Sequence, residues 1–408
     1  MSKVTRRTLM SLPLAAALPT RGRAQSSGPV RIGVLNDQSS VFADSTGPGS
    51  VLSAQLAAEE FGAQTGLKIE ILAADHQNKA DVGSAIARDW IDRQGVHAIA
   101  DLGNSAVALA VSTVCRDKNK ACLVSAGLTT LLTGAQCAPT TVQWTSDTYA
   151  QTTTLTQALM QAGKDTWFFI TADYTFGQSL QDETTRALQR LGGKVVGSVK
   201  HPLNNADFSA QLVQAKASGA KVVALANGGD DTGRCAKQAR EFGLVPAQTL
   251  AGLSMLITDA HAIGLDAAGG LLVTETFYWD LNEGTRDFSK SWSARNRGRE
   301  PTMMQAGVYG VALHFLKAVH ALGGKAEDGA AVVRRMKQMP TDDRAFGRGS
   351  IRADGRKIHD NYVFRVKTPG ESKGEWDCYA LAATIAGEQA FRPMDAGGCP
   401  LLAQMVKG

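Results

Sequence analysis

The sequence lacks an apolar run of about 18 residues, the length that an α-helix needs to cross a bilayer. The apolar stretch from Leu9 to Leu18 is too short for that purpose. Charged residues make up 20% of the 408 residues and hydrophobic residues 44%, a balance typical of globular proteins. We therefore expect a soluble or peripherally held protein of roughly two or three domains.

The sequence also lacks the motifs that carry common enzymatic chemistry. It contains no G-x-S-x-G elbow, no phosphate loop ending in GK[ST], no G-x-G-x-x-G after a strand and no H-E-x-x-H. Asp230 and Asp231 form an acidic pair, but acids at the start of a helix commonly complement its dipole. The sequence therefore favours binding over catalysis, with no cofactor.

Cysteine and histidine are sparse, and their spacing does not indicate a metal site. No CxxC occurs, and the seven histidines are scattered without ligand spacing. In an oxidising compartment the six cysteines can pair or remain as buried thiols, and sequence alone leaves most pairings open. Cys115 and Cys122 flank the turn "RDKNKA" and are the easiest pair to close.

Excess positive charge is confined to the start of the chain. The first 24 residues hold five of the 43 basic residues and no acid, so the remainder has 38 basic and 38 acidic residues. That balance removes the support for nucleic-acid binding.

The same 24 residues predict an export signal. A basic start, a short apolar stretch and the small residues of Gly22-Arg23-Ala24 form its three parts. We expect a periplasmic location. Arg6 and Arg7 resemble a twin-arginine signal, and the general secretory route stays open.

From Val30 onward, short apolar runs alternate with amphipathic stretches of 10 to 20 residues. This alternation predicts an α/β fold with mostly parallel sheets. Ten strands exceed what one doubly wound sheet comfortably holds, so we expect two doubly wound lobes. The predicted strands cover residues 30–35, 68–75, 97–102, 121–126, 141–145, 166–173, 194–200, 221–227, 248–253 and 270–276. The predicted helices cover residues 49–64, 79–94, 105–117, 176–191, 208–218, 232–242, 285–297, 303–322 and 327–338. A hairpin is predicted around Ala353-Asp354-Gly355.

Small polar residues follow the predicted strands, where the ligand crevice of an open parallel sheet lies. Gly103-Asn104-Ser105 follows the third strand, and Thr129 follows the fourth. A helix N-terminus favours an anion, so Ser105 and Thr129 could hold one carboxylate from two sides. The alternative is that both residues only cap their helices.

Nearly the whole chain from Val30 resembles the periplasmic solute-binding proteins of ABC importers, in the branched-chain amino acid group with the type I two-lobed fold. The resemblance is carried by "VRIGVLNDQSSVFADSTGPGSVLSAQLAAEEF", "ADLGNSAVALAV", "LVSAGLTTLLTGAQCAPTTVQWTSDTYAQT", "WFFITADYTFGQSL", "DFSAQLVQAKASGAKVVALANGGDDT" and "TMMQAGVYGVALHFLKAV".

The resemblance implies a set of ligand-binding residues. Ser105 matches a carboxylate-binding serine, and Tyr174 matches a residue that closes from the second lobe. The full implied set is Phe42, Asn104, Ser105, Ala126, Gly127, Thr129, Tyr174, Asn227, Ser254 and Phe277.

The resemblance also implies the domain organisation. It places the first lobe at residues 29–145 and 278–340, the second lobe at residues 146–277 and 341–390, and a returning tail at residues 391–408. Similar features in a proteobacterial subgroup of aromatic and carboxylate binders imply a disulfide between Cys137 and Cys399. We expect a monomer.

The chain departs from the family's amino-acid binders in one position. Leu253-Ser254 stands where those proteins carry an acid that pairs the ligand's ammonium. Either Asp230 or Asp231 supplies the counter-charge, or the ligand lacks an amine.

The sequence therefore predicts a non-enzymatic protein that captures a small carboxylate with a hydrophobic or aromatic tail and delivers it to an ABC permease in the inner membrane. A binder of branched-chain or other amino acids or amides, a ligand-sensing receptor and, less favoured, a periplasmic enzyme remain as alternatives.

Overall fold

The computed structural model describes residue 1, residues 28–245 and residues 247–405. The predicted export signal, beyond its first residue, lies outside these ranges. Within them, the helices fall short of the length and apolar character that crossing a membrane requires.

The described residues form fifteen β-strands, arranged in four sheets. The strands are β1 (Val30–Asn36), β2 (Ile69–Asp75), β3 (Ala98–Asp101), β4 (Ala121–Val124), β5 (Thr141–Gln143), β6 (Thr166–Ala172), β7 (Lys194–His201), β8 (Val222–Ala226), β9 (Thr249–Gly252), β10 (Leu272–Glu275), β11 (Thr341–Asp343), β12 (Gly347–Ile351), β13 (Lys357–Ile358), β14 (Asn361–Val366) and β15 (Tyr379–Ile385).

The helices alternate with the strands over most of the chain. They are α1 (Gly47–Thr65), α2 (Ala80–Arg93), α3 (Ser105–Asp117), α4 (Thr148–Gln161), α5 (Thr175–Arg190), α6 (Ser209–Ala217), α7 (Asp230–Glu241), α8 (Ile257–Ile263), α9 (Leu265–Ala268), α10 (Glu283–Ser293), α11 (Met303–Ala321), α12 (Gly329–Gln338), α13 (Gly387–Ala390) and α14 (Pro400–Met405). Short 3-10 helices cover Thr130–Thr133 and Met394–Gly397.

Two parallel sheets form the framework of the molecule. The first has the strand order β2-β1-β3-β4-β5 and the second the order β7-β6-β8-β9. We call the first sheet, with the helices packed on it, the first lobe. The second sheet with its helices is the second lobe. β1, β3, β4 and β8 are almost wholly buried because helices cover both faces of a parallel sheet. The predicted fold class is confirmed.

The ten predicted strands all form, but the last one belongs to neither parallel sheet. β10 pairs antiparallel with β14, which pairs antiparallel with β15. The predicted hairpin also forms, since β12 pairs antiparallel with β13 around Gly355. Helix α11 returns to the first lobe, where it packs on α1 and against β3 and β4.

One disulfide joins Cys137 to Cys399 and fastens the tail beside the 3-10 helix that follows β4. This agrees with the pairing implied by the family resemblance. The other candidate pair is wrong, because Cys115 and Cys122 are free thiols buried between α3 and β4. A hydrogen bond with the neighbouring Cys122 thiol, together with burial, raises the pKa of Cys115, so this thiol stays protonated and packs as a small apolar side chain.

We predict that the double variant Cys137→Ala/Cys399→Ala loses about 2–4 kcal/mol of unfolding free energy, because the disulfide closes a long loop of the unfolded chain. Urea unfolding, with and without a thiol reductant, measures the loss. Reductant should destabilise the wild type and leave the variant unchanged. A variant that still responds to reductant would show that a second disulfide forms.

Candidate functional site

A cavity lies between the two lobes at the carboxyl ends of their strands. It has an empty volume of about 340 Å³, its open mouth included. Its first-lobe lining consists of Phe42, Ser45, Gly103, Ser105, Ala126, Leu128 and Met304. Its second-lobe lining consists of Tyr174, Phe176, Gly228, Gly229, Ser254 and Leu256.

The backbone turns sharply where β3 ends, and this turn positions α3. Asp101 and Leu102 have φ angles of 80° and 63°, a left-handed conformation that costs a leucine roughly 1–2 kcal/mol. The buried Asp101 carboxylate offsets that cost by accepting hydrogen bonds from Asn36 Nδ2 and Ser125 Oγ, both at 2.8 Å. The turn therefore directs the N-terminus of α3 into the cavity.

Asn104 and Ser105 have different roles at the start of α3. Asn104 is the cap: its Oδ1 accepts from the backbone N–H groups of Ala106 and Val107. Ser105 is 2% exposed and lines the cavity, and among the described residues neither its N–H nor its hydroxyl has a hydrogen-bond partner. One buried N–H and one buried hydroxyl are thus available to a ligand at a helix N-terminus.

The loop after β1 brings an aromatic ring to the cavity. The Asp37 carboxylate accepts from the backbone N–H of Phe42 at 2.9 Å, from Ser40 Oγ at 2.7 Å and from Asn78 Nδ2 at 2.7 Å. These bonds outweigh burial and hold the pKa of Asp37 below its usual value. A buried, charged carboxylate therefore fixes the loop that presents Phe42.

The second lobe contributes two further hydroxyl groups. Tyr174 and Ser254 line the cavity, and neither hydroxyl has a partner among the described residues. Burial raises the pKa of Tyr174 well above 10, so its phenol remains a hydrogen-bond donor at neutral pH. The polar groups of the cavity are therefore neutral donors from both lobes.

Charged groups lie outside this cavity. No Asp, Glu, Lys or Arg belongs to its described lining. A second, more open cavity of about 640 Å³ adjoins it through Ser45 and Gly229, and its lining includes Asp44, Asp230 and Asp259. We call it the rim cavity.

The acids nearest the site bond to other residues, except that Oδ1 of Asp231 is buried without a hydrogen-bond partner among the described residues. Asp230 pairs with Arg234 at 2.9 Å, and Asp231 accepts from the backbone N–H of Asn204 at 3.1 Å. Burial raises the pKa of Asp231 to about 6 and that of Asp259 to about 8. Neither Asp230 nor Asp231 lines the cavity that contains Ser105, so neither supplies a counter-charge there. Within the described residues no group of three or more His, Cys, Asp or Glu side chains could hold a metal ion.

This architecture of two parallel α/β lobes recurs in known proteins. A sequence model described as periplasmic binding protein matches residues 29–375 of the chain. The chain belongs to the periplasmic binding protein family.

Relatives of this periplasmic binding protein place it more closely. It is 26% identical over 344 residues to the Leu/Ile/Val-binding protein homolog 1 of Brucella abortus, covering 82% of this chain and 88% of that one. A periplasmic binding protein from Burkholderia mallei is 40% identical, with a TM-score of 0.88, over 91% of this chain and 99% of that one. A branched chain amino acid ABC transporter periplasmic ligand-binding protein from Burkholderia xenovorans is 39% identical, with a TM-score of 0.80 and the same coverage.

The protein is therefore an ABC solute-binding protein of the branched-chain amino acid family. Membership implies a small-molecule ligand, an ABC permease as partner and an extracytoplasmic location. Solute-binding proteins of this family are not enzymes.

The structure brings half of the predicted ligand-binding residues to the cavity of this binding protein. Five of the ten line it, and they are Phe42, Ser105, Ala126, Tyr174 and Ser254. The backbone N–H of Ala126 donates to the carbonyl oxygen of Asp101 at 3.1 Å, so Ala126 offers the cavity its methyl group and not that donor.

The other five predicted residues have partners within the protein. Asn104 is the cap of α3, and Thr129 caps the following 3-10 helix by accepting from the N–H of Leu131. The carbonyl of Gly127 accepts from Gln143 Nε2 at 2.7 Å. These three residues shape the first-lobe half of the cavity without lining it.

The remaining two predicted residues are buried in the protein. Asn227 bonds His201 through Nδ2 and accepts from Thr232 Oγ1 through Oδ1. Phe277 is 1% exposed and packs edge-on against Phe288 at 5.9 Å between ring centroids. The residues beside Asn227, Gly228 and Gly229, are the ones that reach the cavity.

Sequence reasoning missed several lining residues. Ser45 and Gly229 lie in the loops that directly follow β1 and β8, so the strand-end rule could have found them. Leu128, Phe176, Leu256 and Met304 look like ordinary core residues in the sequence. Met304 comes from α11, which does not follow a strand of either parallel sheet.

The two lobes touch at Gly229, whose φ angle is +62°. A Cβ atom there would lie 2.4 Å from the carbonyl oxygen of Val41 in the first lobe. The lobes therefore meet closely above the cavity, and the contact needs a residue without a side chain.

We predict that Gly229→Ala weakens ligand binding at least about tenfold, because it adds left-handed strain of about 1–2 kcal/mol and a clash in the closed form. Isothermal titration calorimetry measures the change. Gly233→Ala is the matched control, since its added Cβ would be 3.5 Å from Ile263 Cγ1, an ordinary contact. Equal affinities for the two variants would contradict this role of Gly229.

Proposed function

We propose that this periplasmic binding protein captures a small carboxylate with a hydrophobic or aromatic tail by lobe closure and delivers it to its ABC permease. The observation that carries the proposal is the pair of unpartnered donors on Ser105, 98% buried at the N-terminus of α3. An anionic head group satisfies both donors and is favoured by the helix dipole.

The second lobe can complete the head-group site. Tyr174 and Ser254 line the same cavity as Ser105 and belong to the second lobe, and their hydroxyls have no partner among the described residues. A hydrogen bond from a neutral donor to a charged oxygen contributes about 1.5–3 kcal/mol. Closure over a carboxylate therefore adds bonds that the open form lacks, which makes binding and closing interdependent.

The rest of the lining suits an apolar tail. The cavity walls include Phe42, Leu128, Phe176, Leu256 and Met304. The ring centroids of Tyr174 and Phe176 are 5.9 Å apart, so the two rings form one aromatic wall. Apolar and aromatic walls favour an aromatic or branched aliphatic group over a polar one.

An α-ammonium group fits this lining poorly. The described lining of the cavity includes no carboxylate, and Asp230 and Asp231 stand outside it, paired with Arg234 and bonded to the N–H of Asn204. A buried ammonium without a counter-charge costs several kcal/mol. This supports a ligand without an α-amine over a branched-chain amino acid.

A thermal-shift screen identifies the ligand class. Aromatic acids, aliphatic acids, amino acids and amides are compared at equal concentration, and a true ligand stabilises by about 2.7 kcal/mol at a hundredfold excess over its Kd. The proposal expects stabilisation by aromatic or branched aliphatic acids. Stabilisation by amino acids alone, or by none of the four classes, would refute it.

We predict that Ser105→Ala raises the Kd for the best carboxylate about 10- to 100-fold, since it removes one hydrogen bond to a charged oxygen. Calorimetry measures the affinity, and ligand-free melting checks the fold. Ser209→Ala is the control, because Ser209 also begins a helix but is not part of the cavity lining. An unchanged Kd for Ser105→Ala would remove the head-group site.

We predict that the Kd values of matched ligands that differ only in the α-amine differ by at least about 100-fold. 4-Methylpentanoate should bind more tightly than leucine, and 3-phenylpropanoate more tightly than phenylalanine, because the amine loses its hydration without gaining a counter-charge. Calorimetry on both pairs tests the order. Tighter binding of either amino acid would overturn the interpretation of Leu253-Ser254.

A further inference from the structure

Four side chains form a chain of contacts across the outer edge of the cleft, away from the ligand cavity. Arg299 lies between α10 and α11, and its Nη1 is 3.1 Å from the Oδ1 of Asp44 in the first-lobe loop. Its Cζ lies 5.7 Å from the centroid of the Trp376 ring. Trp376 in turn stacks on His261 of α8. We call Asp44, Arg299, Trp376 and His261 the rim stack.

His261 and Trp376 form the second-lobe half of the rim stack, because α8 packs on α7 of the second lobe and the Trp376 ring stacks on His261. The rings of Trp376 and His261 are parallel within 4°, with centroids 4.0 Å apart. The carbonyl oxygen of Trp376 accepts from Trp279 Nε1 at 2.8 Å, and His261 Nε2 lies 3.1 Å from Glu375. Trp376 packs in one hydrophobic cluster with Met255, Ile257 and neighbours that include β14 and β15 residues. Its indole face is therefore set without help from Arg299.

The first-lobe half is continuous with the ligand site. Asp44 lies in the same loop as Phe42 and Ser45, which line the cavity. Arg299 keeps its ion pair with Asp44 in any position of the second lobe, because both residues belong to the first lobe. Its contact with the indole ring needs the two lobes to be together.

We propose that Arg299 and Trp376 are closure-positioning residues, which stabilise the closed form without touching the ligand. The inference rests on the proposed function, since it concerns the closing of the lobes over a captured molecule. A contact made in only one of two conformations shifts the population toward that conformation. Arg299 thereby sets how long a bound ligand is retained.

A matched variant distinguishes an effect on lobe closure from an effect on folding stability. Arg295→Ala removes a guanidinium that is 41% exposed and pairs with Glu59 inside the first lobe, whereas Arg299 is 40% exposed and also contacts Trp376. Each variant loses one surface ion pair, but only Arg299→Ala loses a contact between lobes. Trp376→Ala is made in both backgrounds to complete a double-mutant cycle.

Lobe closing is measured as the distance between two spin labels, at Arg93→Cys on α2 and Val213→Cys on α6. Both positions are exposed, and they lie on different lobes. We expect Arg299→Ala to shift the distance distribution toward the open form, relative to wild type and Arg295→Ala. Superimposable distributions for the three proteins, without ligand and with the screened carboxylates, would overturn the inference.

Ligand kinetics give the second readout. For the carboxylate found in the screen, Arg299→Ala should raise the dissociation rate about two- to fivefold and leave the association rate unchanged. The effect should vanish in the Trp376→Ala background, which a purely structural role would not produce. Unchanged dissociation rates would refute the inference. A screen without any ligand would refute the proposed function, while the ligand-free label distances still test the rim stack.

Discussion

The buried carboxylate of Asp101 ties together the strand ends from which the first-lobe half of the site is built. It bonds Asn36 at the end of β1 and Ser125 just after β4, and its own backbone stands at the end of β3. The backbone carbonyl oxygen of Asp101 also accepts hydrogen bonds from the N–H groups of Ser125 and Ala126. Burial raises the pKa of Asp101 to about 6, so ionising this group is costly, and the hydrogen bonds offset that cost. A strained turn is thereby held in one geometry.

The donors on Ser105 depend on that turn. Left-handed backbone at Asp101 and Leu102 lets the chain reverse and begin α3 within three residues of the strand end. Asn104 accepts hydrogen bonds from the N–H groups of Ala106 and Val107, so these donors are not available to a ligand. Among the described residues, the N–H and the hydroxyl of Ser105 are the donors at this helix start that keep no protein partner.

Local sequence signals were sufficient for most of the fold. Period-two and period-3.6 patterns located the ten strands and most of the helices between them, because each element buries a face whose spacing is visible in its own residues. The placement of β10 could not be predicted in this way. Its apolar run, residues 270–276, is compatible with a parallel strand, and its antiparallel partner β14 lies about 90 residues further along the chain. The free state of Cys115 and Cys122 depends likewise on how α3 packs on β4 and not on their spacing.

The site was less predictable than the fold, and the reason is geometric. The strand-end rule finds loops, but which residue of a loop faces the ligand depends on one or two backbone angles. Asn104 and Ser105 are neighbours, yet one caps the helix and the other faces the cavity. Asn227 is buried against His201, and the next two glycines reach the cavity instead. Apolar lining such as Met304 has no sequence signal at all, since only packing of α11 on the first lobe brings it there. The loops that surround the cavity can therefore be located from sequence, whereas the identity of the residues that line it depends on tertiary packing.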